Sequence, residues 1–174
     1  MRHLHHVLSG LLLLLASCSS LNDDIRVATA TDPGVDLHTR RTYSWAASVG
    51  VLADSTGTWG RSNKDLDAEL RAAVSRELRA AGYSEVHAGA DVYIAMLVLG
   101  DRAEIEKVAH EPGAPADPTI LTEGALLVEM LDAKTGRVLW RGGAHSMTET
   151  MHTDAEMTKR IDYAVNEMFK GFHS

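Results

Sequence analysis

The segment Gly124 to Ala144, GALLVEMLDAKTGRVLWRGGA, constrains the fold of this chain more than any other stretch. In an extended run, successive side chains point to opposite sides. Leu126, Val128 and Met130 therefore share one face, and Leu127, Glu129 and Leu131 share the other. Asp132-Ala-Lys-Thr-Gly136 then reverses the chain: an Asp at the start of a turn can bond its own backbone, and a Gly near the end can take the positive φ that closes a short hairpin. The return run alternates again, with Val138 and Trp140 on one side and Arg137, Leu139 and Arg141 on the other. An antiparallel hairpin with one buried and one wetted face is the prediction. The hairpin carries no catalytic motif.

The remaining segments supply partners for it. Ile25 to Thr29 alternates weakly as a first strand, Thr31-Asp-Pro-Gly34 is a turn, and Leu37 to Trp45, rich in Thr and aromatic residues, reads as a second strand. Ala46 to Gly60 carries Gly50, Gly57 and Gly60 among Ser and Thr and reads as a loop. From Asn63 to Ala81 the pattern becomes helical. Leu66, Leu70, Val74 and Leu78 form a stripe, Ser62 and Asp65 are spaced as a capping box, and Gly82 follows as a stop. Asp91 to Leu99 is nearly all apolar, the pattern of a central strand covered on both faces. Arg102 to Glu106 alternates outward, the proline-rich run His110 to Pro118 cannot stay in a ladder, and a further strand enters at Thr119. A second helix, Asp154 to Phe169, opens on a Thr153/Glu156 capping box and aligns Met157, Ile161, Val165, Met168 and Phe169. Burying those five side chains is worth on the order of 10 kcal/mol before entropy is subtracted. The predicted fold class is α+β, an antiparallel sheet of about four to six strands with two helices packed on one face.

The first eighteen residues, MRHLHHVLSGLLLLLASC, point to a compartment. A basic start, a short apolar run and small residues before Cys18 make a secretion signal, since the apolar run falls short of the about 20 residues a permanent span needs. Leu15-Ala16-Ser17-Cys18 resembles the bacterial lipobox. Cleavage between Ser17 and Cys18 would leave Cys18 as an acylated first residue, with palmitate-type chains giving lasting attachment where one chain would be marginal. Cys18 is the single cysteine of the chain, and a leftover thiol in an exported protein asks for such a role. By resemblance to sorting in bacteria with two membranes, Ser19, not being aspartate, favours the outer membrane over the inner one. The domain organisation read from this is a signal peptide over 1–17, a flexible tether over 18–24 and one domain over 25–174.

Tyr43-Ser-Trp45 in an early strand, a helix ending Ala81-Gly82-Tyr83, then Ala90-Asp91-Val92-Tyr93-Ile94, then Leu131-Asp132-Ala133-Lys134-Thr135-Gly136-Arg137-Val138-Leu139-Trp140-Arg141-Gly142 and a closing helix together resemble the DUF4136 family of bacterial lipoproteins, a domain of unknown function. The resemblance spans most of the chain after Cys18. It implies an α+β envelope domain with no cofactor and no catalytic residues to carry over.

With 17 Lys and Arg against 24 Asp and Glu and no basic cluster, the chain lacks the concentrated positive charge that nucleic acid demands. Outside the cytoplasm ATP is absent, which argues against kinases and ATPases. Beyond the signal the histidines are His38, His87, His110, His145, His152 and His173; only His145 and His152 are near neighbours, and no HExxH or CxxC spacing provides the three or four converging ligands of a zinc site. No metal or cofactor is expected. No GxSxG occurs, and Ser146 points away from His145 on a regular strand. Trp59 in the Gly-rich loop, His110 in the proline-rich loop and His145 stand as possible ligand contacts, each with surface placement or packing as the plainer account. The resulting expectation is a lipid-anchored, periplasm-facing, non-enzymatic adaptor that binds another envelope protein or an apolar or glycan ligand. A periplasmic hydrolase of an envelope ester, peptide or glycan, using His145, Glu129 and Glu104, is the alternative.

Overall fold

The hairpin sits at the centre of a mixed β-sheet in the computed structural model, which describes residues 21–46, 50–52, 63–99, 125–146 and 152–173. In chain order the strands are β1 (Ile25–Thr31), β2 (Thr42–Trp45), β3 (Gly50–Leu52), β4 (Ser84–Glu85), β5 (Val92–Leu99), β6 (Ala125–Asp132) and β7 (Val138–Ser146), and the helices are α1 (Asn63–Ala80) and α2 (Asp154–Phe169). The strand order is β1-β7-β6-β5-β2-β4, with β3 also paired to β5. The pairs β1·β7, β7·β6 and β6·β5 are antiparallel, whereas β2 and β3 both run parallel to β5, and β4 parallel to β2.

The expected purely antiparallel sheet is therefore corrected to a mixed one, while the α+β class stands. The reason is connectivity. A stretch that contains a whole helix separates β2 and β3 from β5, and a crossover of that length returns the chain in the same direction, whereas the two-strand turn after β6 can only reverse it. β2 and β3 lie in line along one edge of β5: Trp45 pairs with Ile94 and Gly50 with Leu97. Part of the stretch expected as a loop is thus a strand. The stretch expected as a strand from Leu37 begins instead with a 3₁₀ turn over Leu37–Thr39, because the Asp36 carboxylate accepts from the His38 N–H and the Leu37 carbonyl accepts from the Tyr83 hydroxyl at 2.7 Å.

The hairpin forms where expected, but the face expected to be wetted is covered: Leu127, Leu139 and Arg141 are buried and Glu129 and Leu131 half-buried, and the pairing shifts at one place. Met130 pairs with Trp140 but its neighbour Leu131 pairs with Val138, a shift that leaves Leu139 as an extra residue. Val138 and Trp140 consequently do not share a face, and both Leu139 and Trp140 enter the core. The turn closes through the Asp132 carboxylate, which accepts from the N–H groups of Lys134 (3.0 Å) and Thr135 (2.9 Å), while Gly136 takes φ +71°. Gly142 is required for a different reason: a Cβ there would meet the Trp140 ring at 2.6 Å and the Met168 Cβ at 3.2 Å.

One buried cluster joins Leu66, Leu70, Val74 and Leu78 of α1, Ile161, Val165, Met168 and Phe169 of α2, and Val92, Ile94, Met96, Val98, Leu126, Val128 and Met130 of the central strands. Trp140, Phe169 and Phe172 stack within 5.0 Å of one another, ring centre to ring centre. The expectation that β5 is covered on both faces is corrected: the face of Val92, Ile94, Met96 and Val98 is buried, whereas on the other Ala95 and Leu97 are half-buried and Tyr93 is 38 % exposed. α2 opens on the expected capping box: the Glu156 N–H donates to Thr153 and the Thr153 N–H to Glu156. α1 stops where Gly82 takes φ +86°. Ser62, its expected cap, lies outside the described residues, as do the segments 102–106, 110–118 and 119–124.

Candidate functional site

The most tightly built polar cluster is formed where the chain enters the domain. Arg160 sits one residue before Ile161 in α2, so its stem follows the buried stripe and its head emerges at the edge of the core. There its guanidinium grips the Asp24 carboxylate with two parallel bonds, of 2.7 and 2.8 Å. Nη2 also reaches the Ser146 Oγ at 3.1 Å, Nη1 donates to the Leu21 carbonyl, and the Ser146 hydroxyl donates to Asp24 Oδ2 at 2.6 Å. The two charged side chains are 6 % and 16 % exposed, which puts this pair among the charge-assisted, bidentate bonds that hold geometry firmly. Residues 21–24, within the expected tether, are thereby fastened to α2 and β7, and the Asn22 carbonyl accepts from the Ile25 N–H at 3.0 Å.

The cluster does not make a nucleophile. The Ser146 proton is directed at a carboxylate that Arg160 already neutralises, and the neighbouring histidine is on the other side of the strand: Ser146 pairs with Ile25, His145 with Arg26. On the His145 face, Glu129 faces Arg141 across β6 and β7, and the Arg141 guanidinium bonds its carboxylate. From Arg141 to His145 is four residues along β7, about 13 Å at strand rise. Glu129 and His145 are therefore far beyond the roughly 3 Å over which an acid and base cooperate. Glu104, Trp59, His110, Ser17 and Cys18 lie outside the described residues. Among the described residues no three His, Cys, Asp or Glu side chains converge as metal ligands, and no helix is long and apolar enough to cross a membrane.

Three further clusters brace the sheet. At the start of β2 the Asp91 carboxylate accepts from the N–H groups of Arg41 (2.9 Å) and Thr42 (3.0 Å) and from the Thr42 hydroxyl (2.9 Å). These donors, the Arg41 N–H foremost, hold Asp91 below the usual carboxylate range. Asp132 is held low in the same way, chiefly by the Thr135 N–H and hydroxyl, with Arg40 at 3.2 Å. Burial pushes the Tyr83 phenol up to about 12. Carboxylates with depressed values are poor proton shuttles near neutrality, so these groups brace structure. On β4, Glu85 accepts from the Trp45 indole at 3.1 Å and from the Tyr43 hydroxyl at 3.2 Å, while the Arg71 guanidinium stands 4.5 Å over the Trp45 ring.

Sequence reasoning missed the Asp24–Arg160–Ser146 cluster. A basic residue adjoining the apolar stripe of α2 was a usable hint, but nothing in the sequence placed Asp24 or Ser146 against it.

The family profile described as Domain of unknown function (DUF4136) matches residues 27–172. No curated protein matches the chain. Among solved structures, a DUF4136 family protein from Bacteroides thetaiotaomicron is similar with TM-score 0.60 at 17 % identity, over 87 % of this chain and 98 % of that one. A PDZ domain protein from Parabacteroides distasonis is similar with TM-score 0.50 at 18 % identity, over 83 % of this chain and 34 % of the other. The PelC dodecamer from Paraburkholderia phytofirmans gives TM-score 0.50 at 11 % identity, over 86 % and 98 %. At these identities the likeness is one of fold.

Proposed function

This chain belongs to the DUF4136 family, and from that premise we propose that it is a lipid-anchored domain of a bacterial cell envelope, facing the periplasm from the outer membrane and acting as a non-enzymatic adaptor. One observation carries the reading. The lipobox-like Leu15-Ala16-Ser17-Cys18 ends three residues before Leu21, where Arg160 takes hold of the chain, so cleavage after Ser17 would present Cys18 as a new amino terminus next to the point where the described fold begins. The same reading takes both helices to lie side by side on one face of the sheet, supported by their sharing a cluster with Val92, Ile94, Val128 and Met130. An envelope protein or an apolar or glycan ligand is the proposed partner class, met around the exposed Tyr93.

The hydrolase alternative is the weaker reading. Its two described residues, Glu129 on β6 and His145 on β7, are set apart, since Glu129 pairs with Arg141, four residues from His145, and is held by the Arg141 guanidinium. Fractionation of cells that express the full chain tests the proposal: the wild type is expected in the membrane fraction and Cys18→Ala in the soluble exported fraction. A Cys18→Ala variant that still sediments with membranes contradicts lipid anchoring.

A further inference from the structure

The strand register fixes which end of the domain the anchor reaches. Ile25 pairs with Ser146, Leu126 with Ala144, and Leu99 with Ala125, so the start of β1, the end of β7, the start of β6 and the end of β5 share one end of the sheet. The Asp132–Gly136 turn is at the other, about 25 Å away for strands of eight and nine residues. Arg160 holds Leu21 and Asp24 at the first end. From Cys18 to Leu21 the chain can extend at most about 11 Å.

We propose that, resting on the lipid-anchor reading above, the Asp24–Arg160–Ser146 clamp sets the orientation of the domain on the bilayer, keeping the Ile25/Ser146 end toward the headgroups and the Asp132–Gly136 turn away from them. A loose tether over 18–24 would let the domain turn freely, whereas the clamp secures the chain as far back as Leu21, with only Ser19 and Ser20 between it and Cys18. Charge works in the same direction. A body with formal net charge −8 once Arg2 leaves with the signal, 16 Lys and Arg against 24 Asp and Glu, gains nothing by laying a long side against anionic headgroups, so the contact stays at the end where the chain is moored. The surface this offers to the periplasm is the turn end, where Arg40, Asp91, Asp132 and the Asp32–Arg137 pair gather.

The test uses the full-length acylated protein in vesicles whose headgroups carry an acceptor dye. Acylation blocks Cys18, so a new thiol takes the donor alone. Ala155→Cys places it in the first turn of α2, at the moored end, and Lys134→Cys places it in the distal turn; both sites are exposed. Energy transfer from position 155 is expected to exceed that from position 134 several-fold. The contrast is expected to collapse in Asp24→Asn/Arg160→Met, which removes both charges together, and after insertion of about twelve Gly and Ser residues between Ser20 and Leu21, which leaves the clamp whole and lengthens the tether. Equal transfer from the two positions, or a contrast that survives the inserted linker, overturns the proposed orientation. The mass of the amino-terminal peptide is read on the same samples: an unacylated Cys18 overturns the anchor reading and the orientation with it, while an acylated Cys18 with equal transfer overturns the orientation alone.

Discussion

At the scale of single residues, two kinds of position govern this molecule: those that leave room and those that hold a charge. Gly142 leaves room for the Trp140 ring, and the extra methyl of Gly142→Ala would stand 2.6 and 2.9 Å from two ring atoms with Met168 behind. We expect a loss of about 1 to 3 kcal/mol, read as a lower urea midpoint with an unchanged slope. Asp91 and Asp132 hold charge. Both are bound more tightly as carboxylates in the folded state than in the unfolded chain, where their value is near 3.8. Their contribution is complete above 3.8 and is lost as the pH falls through the lower folded values, because the folded state then resists protonation that the unfolded state accepts. Stability is therefore expected to decline below pH 3.8, and Asp91→Asn, weaker at neutral pH, is expected to decline less steeply; parallel urea titrations from neutral to acid pH check this, and identical slopes count against it. Residue roles were unevenly legible. Asp132 and Gly136 are marked as turn residues by local spacing, whereas Arg160 gains its role from Asp24, 136 residues earlier, and from Ser146 at the end of β7, 14 residues earlier, which no local pattern records.

At the scale of elements, signals generated within a dozen residues carried through. The β6–β7 turn, both helices and the Thr153/Glu156 capping box all follow from spacing, because the physics that forms them acts between near neighbours. Removing that box by Thr153→Ala is expected to cost about 1 kcal/mol, seen as a lower melting temperature and faster amide exchange confined to the first turn of α2. Where the reading failed, a distant partner had decided the outcome. The bulge at Leu139 places two neighbours in one core, and the face assignment of Val138 fails with it. The Leu37 turn exists because Asp36 and Tyr83 bond it, against the strand preference of the surrounding Thr and aromatic residues. Gly50–Leu52 becomes a strand because β5 offers it an edge.

At the scale of the whole molecule, class was legible and topology was not. Two amphipathic helices and several strands define an α+β domain, but the direction of β2 and β3 depends on where α1 must lie to bury Leu66, Leu70, Val74 and Leu78. The family was legible as well, since its landmarks are turn and core residues such as Asp132, Gly136 and Trp140, which the fold needs in place. The function proposed for it lies elsewhere, in how the domain would be moored through Cys18 and what its far end would meet. The central claim is that Cys18 is the acylated first residue of the working protein. Intact mass of the amino-terminal peptide, from protein extracted out of envelopes, tests it most directly. The account predicts a chain that starts at Cys18 and carries the added mass of a diacylglyceryl group with its fatty acids; a chain that starts elsewhere, or an unmodified Cys18 thiol, contradicts it.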